Sequence, residues 1–161
     1  MIAPGPRRKT KLGRIVSGGQ TGADRAALDF AIKQRIAHGG WCPKGRKAED
    51  GVIPPRYRLT ETPGSNYAQR TEWNVTHSDG TVVFTSRERL TGGSKRTAQF
   101  ARRHKKPLLL VASNHHRDAV DLLRAFLAQH KIRVLNVAGP RASEDPKIRA
   151  FVLRVLGKLI A

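Results

Sequence analysis

Four segments of this chain are apolar almost without interruption: Arg14-Ile-Val-Ser17, Gly80-Thr-Val-Val-Phe-Thr85, Pro107 to Ala112 and Ile132 to Ala138. A strand with one wet face alternates apolar and polar residues, whereas a strand apolar throughout is covered on both faces. Between these segments lie helical patterns over Ala23 to Ile36, Ser65 to Val75, Gly92-Gly93 to about His104, and Arg117 to His130, with a last one ending at Ile160. Buried strands alternating with helices imply a parallel sheet between two helical layers. The expected fold is therefore α/β: a doubly wound, mostly parallel, Rossmann-like sheet of about five strands with helices on both faces. Thr21 and Asp24 have the spacing of a capping box, with Asp in place of the usual Glu. Ser65 reads as the cap of the second helix. Asp145 reads as an N-cap before Pro146 at the first helical position of the last. Residues 38 to 64 show little pattern: one short strand at most, around Gly40 to Cys42, within a long ordered loop.

The 161 residues suit one domain, placed at 13–161 behind a basic tail at 1–12. No apolar run approaches the ~20 residues of a membrane span, and Met1 to Lys11 lacks the apolar core of a secretory signal. Cys42 is the single cysteine, so an internal disulfide and a cysteine-based zinc site are excluded. A cytoplasmic protein away from membranes is the default expectation. The 31 Lys and Arg against 12 Asp and Glu give a net charge of +19. Such a field attracts anions of many kinds, from oxyanions to nucleic acid, without choosing among them. Nothing resembles a sequence-specific nucleic-acid motif, which leaves only non-specific association, with the basic tail as its place.

In doubly wound sheets ligands lie beyond the carboxyl ends of the strands. Three loops leave strand ends there with glycine and polar residues: Ser17 to Asp24, Thr85 to Thr97, and Asn136 to Ser143. Each enters a helix N-terminus, where free N–H groups and the helix dipole favour an anion. The candidate binding residues are Gly18, Gly19, Gln20, Thr21, Gly22 and Asp24 in the first loop. The second offers Arg87, Gly92, Gly93, Ser94 and Thr97, and the third Gly139, Arg141 and Ser143. The first loop is neither a Walker A sequence nor a regular Gly-x-Gly-x-x-Gly, which disfavours ordinary P-loop ATPases and NAD dehydrogenases. Catalytic constellations are thin, and no catalytic residue is assigned. His38 and Cys42 read as a loop histidine and a packed thiol, His115-His116 as a cap, and Tyr67 and Trp73 as core. Asp24, Glu49 and Asp50 are the carboxylates from which an enzyme could draw an acid or base.

Five blocks of the sequence resemble the molybdenum carrier (molybdenum cofactor carrier) protein family. They are Ile15-Val-Ser-Gly-Gly-Gln-Thr-Gly-Ala-Asp-Arg-Ala-Ala-Leu-Asp29, His38 to Gly51, Asn66-Tyr-Ala-Gln-Arg-Thr-Glu-Trp-Asn74, Leu90-Thr-Gly-Gly-Ser94 and Leu135 to Ser143. The resemblance implies a Rossmann-like homo-oligomer, a dimer or tetramer, related to the lysine-decarboxylase-like (LOG) proteins. It implies binding of molybdenum cofactor, a phosphorylated pterin dithiolene, or of an oxyanion such as molybdate, without known catalysis. Carried over by position, Gly18, Gly19, Thr21 and Gly22 form the first binding loop, Gly92, Gly93 and Ser94 the second, and Gly139 and Arg141 the third. The LOG hydrolase pattern Pro-Gly-Gly-x-Gly-Thr-x-x-Glu, laid on Gly92-Gly93, puts Lys95 at its third glycine, Arg96 at its threonine and Gln99 at its glutamate. An amide cannot replace that carboxylate, so nucleotide hydrolysis by the LOG mechanism is not expected. Two other readings stay open: an enzyme or sensor for a nucleotide-derived ligand, and a basic protein associated with nucleic acid.

Overall fold

The computed structural model describes residues 11–86, 89–113 and 118–161. Five parallel strands form the main sheet: β1 (Arg14–Val16), β2 (Ala37–Gly39), β7 (Gly80–Thr85), β8 (Leu108–Ala112) and β9 (Val134–Ala138). Their order is β2-β1-β9-β7-β8, so the last strand in the chain is the middle one in the sheet. It pairs Leu135 with Ile15 on one side and with Gly80 on the other. The parallel, doubly covered sheet expected from the uninterrupted apolar runs is what forms.

Helices α1 (Ala23–Lys33), α4 (Ala119–Gln129) and α5 (Ile148–Ile160) bury their apolar stripes on one face. There Ala27, Phe30, Leu123, Phe151 and Leu156 close over Ile15, Val82, Phe84 and Leu135 in the main core. The other face carries α2 (Tyr67–Thr76) and α3 (Gly92–Arg103), which pack on each other. No helix among the described residues is long and apolar enough to cross a membrane.

The stretch 38 to 64 carries more strand than the sequence suggests. β2 supplies the fifth strand of the main sheet. β3 (Trp41–Cys42) pairs in parallel with β6 (Thr60–Glu61), and β4 (Lys47–Ala48) makes a hairpin with β5 (Gly51–Val52). Pairings two residues long leave no periodicity to read. They are held by side chains instead. The Arg46 guanidinium donates to the carbonyls of Ile53, Pro54 and Tyr57 at 2.8–3.0 Å. A second small core of Leu28, Cys42, Ile53 and Tyr57 sits beneath.

Three helix starts differ from the sequence reading. Asn66, not Ser65, caps α2, its Oδ1 accepting from the Gln69 N–H at 2.9 Å. The residue before α1 is Gly22, at φ 80°, and no side chain caps that helix. Thr21 is thus no cap, because its hydroxyl is engaged elsewhere. α5 begins at Ile148, two residues after Pro146. Asp145 accepts from the Lys147 N–H at 3.1 Å and from the Ser86 hydroxyl.

Candidate functional site

β1, β9 and β7 are adjacent and parallel, so the three glycine loops do emerge side by side. Loops one and three meet backbone to backbone. A Cβ on Gly22 would lie 2.5 Å from the Pro140 carbonyl, and the Ala23 N–H donates to that carbonyl at 3.2 Å. Only glycine fits there. Gly18 serves a different neighbour: a Cβ at this position would overlap the Arg70 guanidinium. Gly18, Gly19 and Gly22 therefore shape the loop by what they lack.

Arg70 reaches from α2 under the first loop to the buried carboxylate of Asp24, Nη1 to Oδ2 at 3.2 Å. The Gln20 N–H donates to the same oxygen at 3.2 Å. Burial pushes the Asp24 carboxyl above its ordinary value, and Arg70 with the Gln20 and Gly18 N–H groups pulls part of the way back. The Gln20 side chain is also buried. Its Oε1 accepts from the Thr21 N–H at 3.1 Å and the Glu49 N–H at 2.9 Å. Among the described residues its buried Nε2 has no hydrogen-bond partner, and neither does the buried Nε of Arg70.

One cavity, about 40 Å³, collects residues from all three loops and from α2. Of the residues named from sequence it brings together Gln20, Asp24, Gly93, Ser94, Thr97, Gly139 and Arg141. Gly93 stands at the N-terminus of α3 with nothing within 4 Å of where its Cβ would be. Its φ is not positive, unlike the 55° of Gly92. Thr97 Oγ1 donates back to the Gly93 carbonyl at 2.9 Å. A larger cleft of about 410 Å³ adjoins, sharing Ser94, Pro140 and Glu144 and adding Arg89, Gly92 and Ser143. Arg87 lies outside the described residues, as do His115 and His116.

Thr21 and Ser143 are not in the inner cavity. They hold Glu49, at the turn of the β4–β5 hairpin. The Thr21 hydroxyl donates to Glu49 Oε1 and accepts from the Ala142 N–H at 3.1 Å. Ser143 donates its hydroxyl to Oε2 at 2.5 Å and its N–H to Oε1 at 3.2 Å. Ser143 and Thr21 together hold the Glu49 carboxyl below its ordinary value. Asp50, beside it, pairs with both Nη groups of Arg25, which lowers it too. Of the three carboxylates considered as acid or base, two are therefore latched, and only Asp24 lines the cavity.

Sequence reasoning gave Arg70 no role, although the residue falls in the block Asn66 to Asn74. It also read Tyr67 as core, whereas the ring is half-buried and surrounded by cations. Lys47 Nζ lies 4.6 Å from its centroid, the Arg70 guanidinium 5.4 Å and that of Arg141 5.6 Å. Trp73 is likewise half-buried, edge-on to Trp41 at 4.7 Å. Arg141 pairs through Nε with Glu144 at 3.2 Å and with Glu49 at 4.0 Å. Cys42 is fully buried in the second core, as expected of a packed thiol, and His38 Nε2 accepts from the Arg58 N–H at 3.1 Å. No cluster of three metal-ligating side chains occurs among the described residues. Gln99, at the position of the LOG glutamate, is exposed on α3.

Comparison with solved structures places the chain beside the crystal structure of a protein from Syntrophus aciditrophicus SB described as a putative molybdenum carrier protein. The two are 48% identical with a TM-score of 0.93, over 96% of this chain and 98% of that one. No curated protein matches. The description "Circularly permutated YpsA SLOG family" fits residues 15–160, and SLOG proteins are related to the LOG superfamily, as the resemblance of the five blocks implies. Matched over nearly its whole length, the chain belongs to the circularly permutated YpsA SLOG family.

Proposed function

We propose that this protein is a binding or carrier protein for molybdenum cofactor or a related oxyanion such as molybdate, held where the three glycine loops meet. The observation that carries this reading is the cavity itself, in which Gln20 and Asp24 of the first loop, Gly139 and Arg141 of the third and Arg70 of α2 meet the open N-terminus of α3. The first-turn N–H groups of α3 have no intrahelical acceptors and favour an anion there. Two cations, Arg70 and Arg141, face two carboxylates, Asp24 and Glu144, around the cavity. Directed N–H groups, rather than the +19 field, would therefore set affinity.

The donor set suits the cargo. In this reading the inner cavity would take a tetrahedral oxyanion or phosphate group, and the adjoining cleft the body of a larger molecule. The chain's one thiol is buried in the second core, so contact with molybdenum would not involve a protein thiolate. The name carried by the Syntrophus protein supports a carrier role.

Calorimetric titration of molybdate, phosphate and a pterin phosphate tests this reading. Gly93→Ala introduces a methyl group into open space at the helix start, so the apo protein should melt no lower than wild type while its anion affinity falls. Arg141→Ala should weaken the same ligand by roughly tenfold or more, the loss of a charge-assisted contact worth about 1.5–3 kcal/mol. Unchanged affinity in both variants would remove the site.

A further inference from the structure

We propose a second binding site on the α2 face of the sheet, a cleft in which a base of single-stranded nucleic acid stacks on Trp41. The cleft shares no lining residue with the cavity of the glycine loops, and the proposal is independent of what that cavity holds. Ile15 points into the main core, so its neighbours Arg14 and Val16 point to the opposite face of β1. On that face α2 and α3 pack on each other, and α3 packs on β7 and β8. Beside β1 and the start of β9 lies a cleft of about 270 Å³. Val16 and Val134 form its floor, and Arg14, Trp41, Thr60 and His77 line the rest.

The backbone of Trp41 is fixed from both sides. Asn74, on α2, accepts from the Trp41 N–H at 2.7 Å and donates to the Trp41 carbonyl at 2.9 Å. Gly40, at φ 124°, makes the turn just before it, where a Cβ would lie 2.3 Å from the Ser17 carbonyl oxygen. The Trp73 ring supports the indole edge-on at 4.7 Å, and the His77 ring lies 5.5 Å away. An aromatic ring held in place at the wall of a cleft is a platform for a nucleic-acid base. Such stacking tolerates any sequence, because every base has a π-face.

Charge selects the occupant. Arg14 is exposed, with its guanidinium lying along Gly39, and no described carboxylate lines the cleft. Burial, with Arg58 and Arg14 nearby, holds the His38 imidazole below its ordinary value, so two cations stand on this side of the sheet. Lys11 lies just before β1, and Arg7, Arg8 and Lys9 precede it in the chain. A second copy of a chain with a net charge of +19 is a poor match for such a surface. An anionic strand carrying flat groups matches it, with a base on Trp41 and backbone phosphates on Arg14 and the cations leading up to β1. A duplex keeps its bases stacked on one another, so the cleft favours a single strand.

The chain has two tryptophans, Trp41 and Trp73, and they touch, so intrinsic fluorescence reads this cleft directly. A short oligothymidylate titrated into the full chain at physiological salt should quench that emission. Inorganic polyphosphate of equal charge should bind without quenching. In Trp41→Leu, affinity for the oligonucleotide, read by anisotropy of a labelled strand, should fall roughly tenfold while polyphosphate affinity stays at the wild-type value. Arg14→Ala changes an exposed side chain, so it should melt with wild type yet bind the strand more weakly. No quenching by the oligonucleotide, or equal strand affinity in Trp41→Leu and wild type, overturns the proposal and leaves only the diffuse charge of the chain. Thymidine monophosphate quenching at the same concentration as the strand also overturns it, since the cleft would then be a mononucleotide site. If Trp41→Leu does not fold, the contrast between oligonucleotide and polyphosphate on the unaltered protein, together with Arg14→Ala, decides the matter.

Discussion

Arg70 shows how much one side chain can organise. It crosses from α2 beneath Gly18, pairs with Asp24, stacks beside Tyr67 and keeps Nε unpartnered. Its planar fork does two things that lysine cannot do at once, since an ammonium is a single point charge. Arg70→Lys should therefore keep a cation for Asp24 and fold, yet lose the planar group that lines the cavity. Phosphate affinity measured by calorimetry should fall roughly tenfold while the melting temperature moves little. Arg70→Ala is a different experiment. It leaves a buried carboxylate unpaired, a loss of about 3–5 kcal/mol, and should be seen first as a lower melting temperature. Nothing around Arg70 in the sequence marks it, because its partners lie 46 residues away at Asp24 and, across the loop, at Gly18. The glycine cluster was legible as a place where backbone comes close. That the approaching group is a guanidinium was not.

The β4–β5 hairpin acts as a clasp between loops one and three. Glu49 joins Thr21 to Ser143, and Asp50 anchors the turn to Arg25 on α1. Both carboxyls are held below their ordinary values, so folding is favoured by their charge. That contribution is complete above the unfolded value and disappears as pH falls through the lower folded one. The Ser143 amide, followed by NMR, should titrate with a midpoint below that of an ordinary glutamate, and in Glu49→Gln this acid transition should vanish. A midpoint at the ordinary glutamate value would mean the clasp is open in solution. Elements of this size account for most of what the sequence hid. The four long apolar segments reveal β1, β7, β8 and β9 because burial on both faces writes itself into composition. β3 to β6 are two residues each, too short for any period, and depend on Arg46 and on distant Tyr57 for their positions. Thr21 misled for a related reason: its spacing from Asp24 suits a cap, but a glutamate 28 residues away takes its hydroxyl.

Across the whole molecule the described core begins at Leu12, which packs against the main cluster, and the basic residues Arg7, Arg8 and Lys9 precede it. Removing residues 1–10 should leave cooperative melting and phosphate affinity unchanged, checked by scanning calorimetry and titration. A broadened or lost transition would show that the segment belongs to the domain. The position of β9 has a further consequence. It pairs with β1 on one side and β7 on the other, so before it exists the sheet is two separate pairs, β2-β1 and β7-β8, with no hydrogen bond between them. Loops one and two emerge from β1 and β7, strands that β9 alone connects. Until residues 134–160 have been synthesised, the two pairs therefore lack the strand that joins them, and the apolar surface that β9 and α5 cover has no partner. The five-stranded sheet is complete only once this strand lies between the two pairs like a keystone, and the loops after β1 and β7 reach their final spacing only then.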